Sequence, residues 1–312
     1  MASREVKPIK HSLSNDMKKS LLVAQVYVDD IVFGSTIDNL AQEFSEEMKK
    51  EFEVSMVKEL NYFLGLQVKQ RKDVIFISQE KYAKNLVKRF SLDSKTHVTT
   101  QISSLVKLSS DLINVEVDPT LYRSMIGSLL YIIVSRPDIT FSVGVCAHFQ
   151  VAPKESHLTA VKRIIRYVNR TSNYGIWYSR DSNNCLARYL DFDWAGCVND
   201  RKSTSGDCFY LRNNMVSRMS KLQNSVFLSM TEVEYITAGS CCAQLLWMKK
   251  LLHDYGISQD TMCVFCDNTS AINLSKNPAQ HSKSKHIEIR YHFIRDLVKE
   301  KIVWLEFINT DN

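Results

Sequence analysis

Residues Leu21–Thr36 read LLVAQVYVDDIVFGST, and the position of charge within that run decides how the first part of the chain folds. Leu21–Tyr27 and Ile31–Ser35 are short runs of aliphatic, β-branched and aromatic residues, the composition of strands. Val28-Asp29-Asp30 lies between them, so the stretch reads as a hairpin with Asp29 and Asp30 at its tip. Two carboxylates at a turn have an ordinary reading, which is solvation. The close apolar flanks and the preceding Tyr27 suggest another, a buried hairpin that presents both carboxylates into a cleft.

Working outward, residues 1–20 are polar and lysine-rich and read as a disordered lead-in. After the hairpin, Leu40, Phe44, Met48 and Phe52 recur every four positions, which predicts an amphipathic helix over Asp38–Phe52 capped by Thr36 or Asp38. Tyr62–Val68 and Val74–Ser78 read as strands around the turn Arg71-Lys72-Asp73, and Glu80–Phe90 as a helix. Residues 91–118 are rich in Ser and Thr and form a connecting stretch. Helices are expected over Pro119–Val134, Asp138–Gln150 and Glu155–Arg170, the last with Leu158, Val161, Ile165 and Val168 inward.

A second domain is expected from about residue 175. It holds a strand through Cys185–Leu190, a hairpin over Asp207–Lys221 turning at Asn213-Asn214, and a helix Glu232–Tyr255 ended by Gly256. A strand Met262–Cys266, a helix Thr269–Ser275, a basic helix near His286–Lys299 and a strand Ile302–Asn309 follow. The fold class is thus α+β for the first part and α/β for the second.

Composition narrows the class of protein. The chain has 312 residues, 45% of them hydrophobic and 24% charged, as in globular domains. No apolar run approaches the roughly 20 residues of a membrane span, and the N-terminus lacks a signal-peptide pattern, so a cytoplasmic or nuclear location is expected. The net charge of +6 is compatible with a polyanionic partner. Two segments concentrate it, one with Lys162, Arg163 and Arg166, the other with Lys285, His286, Arg290 and His292. Solvated helix faces would explain both. Eight cysteines form no regular framework. Cys263-Val264-Phe265-Cys266 has redox or zinc spacing, but it lies in an apolar strand without a second pair, which favours structural thiols.

Three acidic residues stand where a sheet edge could gather them. Asp191 follows one strand, Asp267 another, and Glu234 lies in the first turns of the long helix. Clustered carboxylates repel, and such clusters exist mainly to hold divalent cations such as Mg²⁺, which prefers oxygen ligands. Two ions of this kind can drive phosphodiester hydrolysis. Singly, each residue also has a plain structural reading as a turn or cap. Ser229 with Glu232 fits a capping box that leaves Glu234 free; Thr231 with Glu234 is a competing box that makes it structural.

The string YVDDIVFGST at Tyr27–Thr36 resembles the catalytic hairpin of reverse transcriptases, and its surroundings resemble the copia-type retrotransposon Pol polyproteins. The likeness continues through ELNYFLGLQV (Glu59–Val68), LYRSMIGSLLYI (Leu121–Ile132), SRPDITFSV (Ser135–Val143), DRKSTSG (Asp200–Gly206), CCAQLLWMK (Cys241–Lys249), CDNTSAINLSKNP (Cys266–Pro278) and KHIEIRYHFIRD (Lys285–Asp296). It implies a partial palm and thumb at 21–90, a helical connection region at 91–174, and an RNase H-like mixed-sheet domain at 175–312. It implies that Asp29 and Asp30 are the paired metal-binding aspartates of the palm. Asp191, Glu234 and Asp267 match the first three RNase H carboxylates. The implied cofactor is Mg²⁺ or Mn²⁺, and the implied partner is an RNA/DNA hybrid, its backbone faced by Lys285, His286, Arg290 and His292.

The same resemblance implies missing parts. The upstream palm aspartate and the helix with a fourth RNase H carboxylate fall outside this sequence, so polymerisation by this chain alone is not expected. Phe192, Leu222, Phe227 and Met230 stand where the family has smaller or more polar residues. A catalytically dead remnant with at most nonspecific nucleic-acid binding is the alternative expectation.

Overall fold

The computed structural model describes residues 20–57, 59–92, 98–101, 108–109, 115–180, 185–193, 203–223, 229–276 and 293–309; side chains of 190–193 are outside this description. Two compact units are present: the described part of Met1–Leu60 with Leu251–Ser258, and the described part of Asn61–Lys250 with Gln259–Asn312.

In the first unit, β1 (Leu22–Tyr27) and β2 (Asp30–Ser35) pair antiparallel in a two-stranded sheet, Tyr27 opposite Asp30. Val28 and Asp29 make the turn, and Val28 takes a φ of 52°. A left-handed conformation is costly for a β-branched residue, and hairpin turns normally place glycine there. Helix α1 (Asp38–Glu51) packs on β2, with Phe44 edge-on to Phe33 at 5.0 Å. The expected cap is replaced. Ile37 holds the N-cap position without a side-chain bond, while the Thr36 hydroxyl accepts the Leu21 N–H at 2.9 Å and closes the hairpin instead. Phe52 is exposed, and Ser45 is the buried helix residue.

In the second unit, β3 (Tyr62–Phe63), β4 (Leu66–Arg71), β5 (Val74–Ser78) and β6 (Gly175–Ser179) form an antiparallel sheet in that order. The single strand expected over Tyr62–Val68 is broken at Leu64-Gly65, whose φ values of 49° and 82° turn the chain. Gly175–Ser179, read from sequence as the start of a second domain, pairs with β5 across 96 intervening residues, Ser78 opposite Gly175. Helices α2 (Glu80–Arg89), α3 (Pro119–Ile132), α4 (Thr140–Ala147) and α5 (Glu155–Arg170) build one apolar core. Tyr122, Ile126, Leu129, Val143, Val161, Ile164, Ile165 and Val168 are sealed within it.

Several polar groups in and around this core are hydrogen-bonded. Asp118 caps α3 by accepting from Thr120 N at 2.9 Å and Leu121 N at 3.2 Å, ahead of Pro119 at the first helical position. His157 is fully buried; its Nδ1 accepts the Lys154 N–H at 3.0 Å and its Nε2 donates to the Ser109 carbonyl at 2.8 Å. Arg136 is held by both Asp138 oxygens and by Thr171.

The site-bearing sheet has the order β11-β10-β7-β8-β9. Its members are β7 (Leu186–Asp193), β8 (Thr204–Leu211), β9 (Asn214–Leu222), β10 (Met262–Cys266) and β11 (Val303–Phe307). β7, β8 and β9 form an antiparallel meander, whereas β10 runs parallel to both β7 and β11. This is the mixed α/β sheet expected for the second part. The β8–β9 turn falls on Arg212-Asn213, φ 55° and 62°, one residue before the expected place.

Helix α6 (Met230–Asp254) ends one residue before the expected Tyr255. Gly256, φ 76°, donates to His253 O at 2.8 Å and Ile257 to Leu252 O at 2.9 Å, which satisfies two terminal carbonyls. Helices α7 (Thr269–Lys276) and α8 (Phe293–Lys299) pack on β11. No helix among the described residues is long and apolar enough to cross a membrane.

Candidate functional site

Alternation along β10 decides which of its groups can meet. Met262, Val264 and Cys266 are buried, while Cys263 and Phe265 alternate with them. Residues three apart on a strand face opposite ways, so Cys263 and Cys266 do not converge as a redox or zinc pair. Cys263 lies 3.8 Å from Glu306, and Cys266 turns toward α6.

The start of α6 sets the second group. Ser229 accepts the Glu232 N–H at 3.2 Å and the Val233 N–H on its carbonyl, so Ser229 is the cap and the Thr231 box is not the one formed. Glu234 is thereby left to point inward, and it is 2% exposed. Its Oε2 accepts the Cys266 thiol hydrogen at 2.8 Å, and its carboxyl shares a hydrogen bond with Asp267. Burial first, then the shared bond with Asp267, pushes Glu234 up to about 8, against a smaller opposing pull from the thiol. Burial and then the Glu234 carboxylate push the Cys266 thiol well above its usual range, which makes it inert as a nucleophile.

Asp267 sits at the junction of β10 and α7. Asn268 caps α7, its Oδ1 accepting from Ser270 N at 3.0 Å and Ala271 N at 3.1 Å, and so fixes the turn that carries Asp267. The backbone of Asp191 lies on the adjoining strand, opposite Gly206. Tyr189 pairs with Phe265, so Asp191 and Asp267 each stand two residues beyond a matched pair on neighbouring strands. The Asp191 side chain lies outside the described side chains, as does Phe192. The structure therefore brings together Glu234 and Asp267, with the main chain of Asp191 alongside.

The remaining expected site residues fare differently. Asp29 and Asp30 are exposed, as are Val26, Tyr27 and Val28 at up to 80%. The buried hairpin and cleft expected from sequence are not found among the described residues, because α1 covers the base of the hairpin rather than its tip. Lys285, His286, Arg290 and His292 lie outside the described residues, as does Phe227. Leu222 ends β9, and Met230 is half exposed at the start of α6.

Sequence reasoning missed one feature of the site-bearing sheet. Arg188 and Asp207 form an ion pair with both side chains fully buried, and Cys241 of α6 donates to Asp207 Oδ2 at 2.9 Å. Arg188 Nε and Nη1 have no hydrogen-bond partner among the described residues. An arginine amid Leu186–Leu190 reads as an outward residue, and only its register with Phe209 reveals that it points inward.

The donor set suits a hard cation: the buried Glu234 carboxyl and the half-buried Asp267 carboxyl share a proton position that such an ion would take. No group of three or more His, Cys, Asp or Glu able to hold a metal occurs among the described residues, so the described donors amount to a pair.

Residues 9–104 match the family model for reverse transcriptase (RNA-dependent DNA polymerase). The chain is 36% identical over 94% of its length to the retrovirus-related Pol polyprotein from transposon RE1 of Arabidopsis thaliana, of which it covers 20%. It is 33% identical over 94% of its length to that from transposon TNT 1-94 of Nicotiana tabacum, of which it covers 23%. An uncharacterized mitochondrial protein of Arabidopsis thaliana is 31% identical over 71% of this chain and is itself 92% covered. A solved N-terminal RNase H domain from Mycobacterium tuberculosis overlaps 41% of this chain and 85% of its own, at 10% identity and a TM-score of 0.26, too low to carry weight.

The matched segments define a stretch of a retrotransposon Pol polyprotein with a reverse-transcriptase portion. The chain belongs to the copia-type retrotransposon Pol family. It spans about a fifth of the length of the Pol relatives named above.

Proposed function

We propose that this chain serves element replication as the part of a Pol polyprotein that degrades RNA in RNA/DNA hybrids, with Asp191, Glu234 and Asp267 as its nuclease carboxylates. The observation that supports this is the hydrogen bond that the buried Glu234 shares with the half-buried Asp267, groups brought from a helix start and a strand end. Two carboxyl groups in such contact resist double ionisation. Glu234 therefore keeps a proton near neutral pH while no cation is bound, and gives it up when one binds.

Glu234, Asp267 and Asp191 would hold Mg²⁺ or Mn²⁺, which supplies a polarised phosphodiester and a water of lowered pKa. The chain's own contribution is positioning. Ser229 and Asn268 fix the two backbone turns, and Cys266 orients the Glu234 carboxylate. The segment with Lys285, His286, Arg290 and His292 would face the hybrid's phosphates. Asp29 and Asp30 are the corresponding polymerase pair. Their exposed hairpin supports ancestry rather than synthesis by this chain, so no polymerisation is proposed.

The test is Mg²⁺-dependent cleavage of the RNA strand in a labelled RNA/DNA hybrid. Wild type should exceed Asp267→Asn and Asp191→Asn by orders of magnitude. Equal cleavage by all three proteins removes the proposed centre, and absence of cleavage by wild type leaves the chain a catalytically dead relative.

A further inference from the structure

The β1–β2 hairpin carries main-chain chemistry that the nuclease reading does not use. Thr36 N–H donates to the Leu21 carbonyl at 2.9 Å, and the register runs on from Leu22 opposite Ser35 to Tyr27 opposite Asp30. Bonded and non-bonded pairs alternate along an antiparallel ladder. Val23–Gly34, Gln25–Val32 and Tyr27–Asp30 are therefore the bonded pairs, and Leu22, Ala24 and Val26 turn their N–H and C=O groups away from β2. Among the described residues no hydrogen bond reaches those outward groups. Val26 is 45% exposed, and Leu22 and Ala24 are half-buried.

This edge is also undefended. β1 reads LVAQVY, without charge, proline or glycine. Edge strands are normally kept from pairing by charges, bulges or shortness. The other edges have such devices. β2 carries Asp30 and Gly34, β9 carries Arg218 and Lys221, β11 carries Glu306, and β3 has two residues. At the end of β6, Ser179 exchanges two hydrogen bonds with the Asn214 side chain. A two-stranded sheet alone is marginal, and further strands stabilise it.

The strand's own pattern selects its partner. The outward groups of Leu22, Ala24 and Val26 are arranged symmetrically about Ala24. A second β1 laid antiparallel, Ala24 against Ala24 and Leu22 against Val26, matches all of them in about six main-chain hydrogen bonds. A slip of two residues leaves one outward residue of each strand unmatched. The operator is a twofold axis, which makes the contact isologous. It sets α1 of both copies on one face of the joined sheet, since directly opposed side chains share a face. The sequence flanks β1 with Lys18-Lys19 before it and Asp29-Asp30 after it. An antiparallel copy thus brings opposite charges together, whereas a parallel copy would bring like charges together.

We propose that the outer edge of β1 is a self-pairing surface, through which two copies of this chain join in one four-stranded antiparallel sheet. The contact needs neither the carboxylate centre nor a metal. It is tested with the full chain in EDTA, by sedimentation velocity and by amide exchange over a range of concentrations.

Wild type should pass from monomer to dimer as its concentration rises to about 100 µM, as suits a contact of small area. Exchange at Leu22, Ala24 and Val26 should slow over the same range, while Ile31, Phe33 and Ser35 on the far edge of the hairpin stay unchanged. Ala24→Pro removes an outward N–H and no bond of the hairpin itself. It should remain monomeric with the circular dichroism of wild type. Should that variant fail to fold, the concentration dependence of exchange in wild type decides alone. The proposal is overturned if wild type stays monomeric, if folded Ala24→Pro dimerises as wild type does, or if protection at the three amides does not change with concentration.

Discussion

The chain holds two acidic motifs, and the fold treats them in opposite ways. Asp29 and Asp30 stand at the exposed tip of an isolated two-stranded hairpin. Glu234 and Asp267 meet where the start of α6 faces the end of β10, an inner strand of a five-stranded sheet, Glu234 almost wholly out of water. Exposed carboxylates hold a cation weakly, since water competes at every oxygen. Buried and mutually bonded ones are raised in free energy until a cation relieves them. A short string of residues can thus announce a catalytic ancestry while the packing needed to use it lies elsewhere.

The largest test of that contrast is structural. The sheet that carries the site also buries the Arg188–Asp207 ion pair, and removing one partner leaves an uncompensated charge. Asp207→Ala should cost about 3–5 kcal/mol in denaturant unfolding. A double replacement of Arg188 and Asp207 by apolar residues of similar size should recover much of it. A small loss from Asp207→Ala would mean that the sheet beneath the site is open to water.

A smaller effect, of opposite sign, is expected at Glu234. Its folded pKa, about 8, lies above the ordinary 4.5. The unfolded chain therefore loses its proton first, and metal-free stability falls as pH rises from about 4.5 to about 8. Glu234→Gln should stabilise the metal-free chain at pH 8 by on the order of 1–3 kcal/mol and flatten the melting temperature across that window. No difference at pH 8 would show that the carboxyl is not held away from water.

At the hairpin the effects should be smallest. Asp29→Asn and Asp30→Asn should each change stability by less than about 0.5 kcal/mol. Val28→Gly should slow amide exchange in β1 and β2 by relieving a left-handed valine, a gain of about 1 kcal/mol. Faster exchange in the glycine variant would mean that Val28 makes contacts which outweigh its backbone cost.

These contrasts also show what the sequence could and could not convey. Strands of five or six residues with turn residues at fixed offsets were legible, as were the long helix and its glycine stop, because local chemistry sets them. The α1 cap was not, since Thr36 had a long-range bond to Leu21 to make instead. The pairing of Gly175–Ser179 with β5 was hidden, because register between distant strands leaves no local mark. At the candidate site, Asp267 and Glu234 were singled out from their positions at element ends. The Cys266 thiol bond and the Arg188–Asp207 pair were invisible, for they depend on which face of a strand meets the helix.

The most direct measurement is the shift in melting temperature on adding Mn²⁺, compared among wild type, Asp267→Asn and the double variant Asp29→Asn/Asp30→Asn. Wild type and the hairpin variant should gain stability alike, and Asp267→Asn should gain little. An undiminished gain in Asp267→Asn, or a gain lost only in the hairpin variant, would contradict the claim that the cation is held at the buried pair.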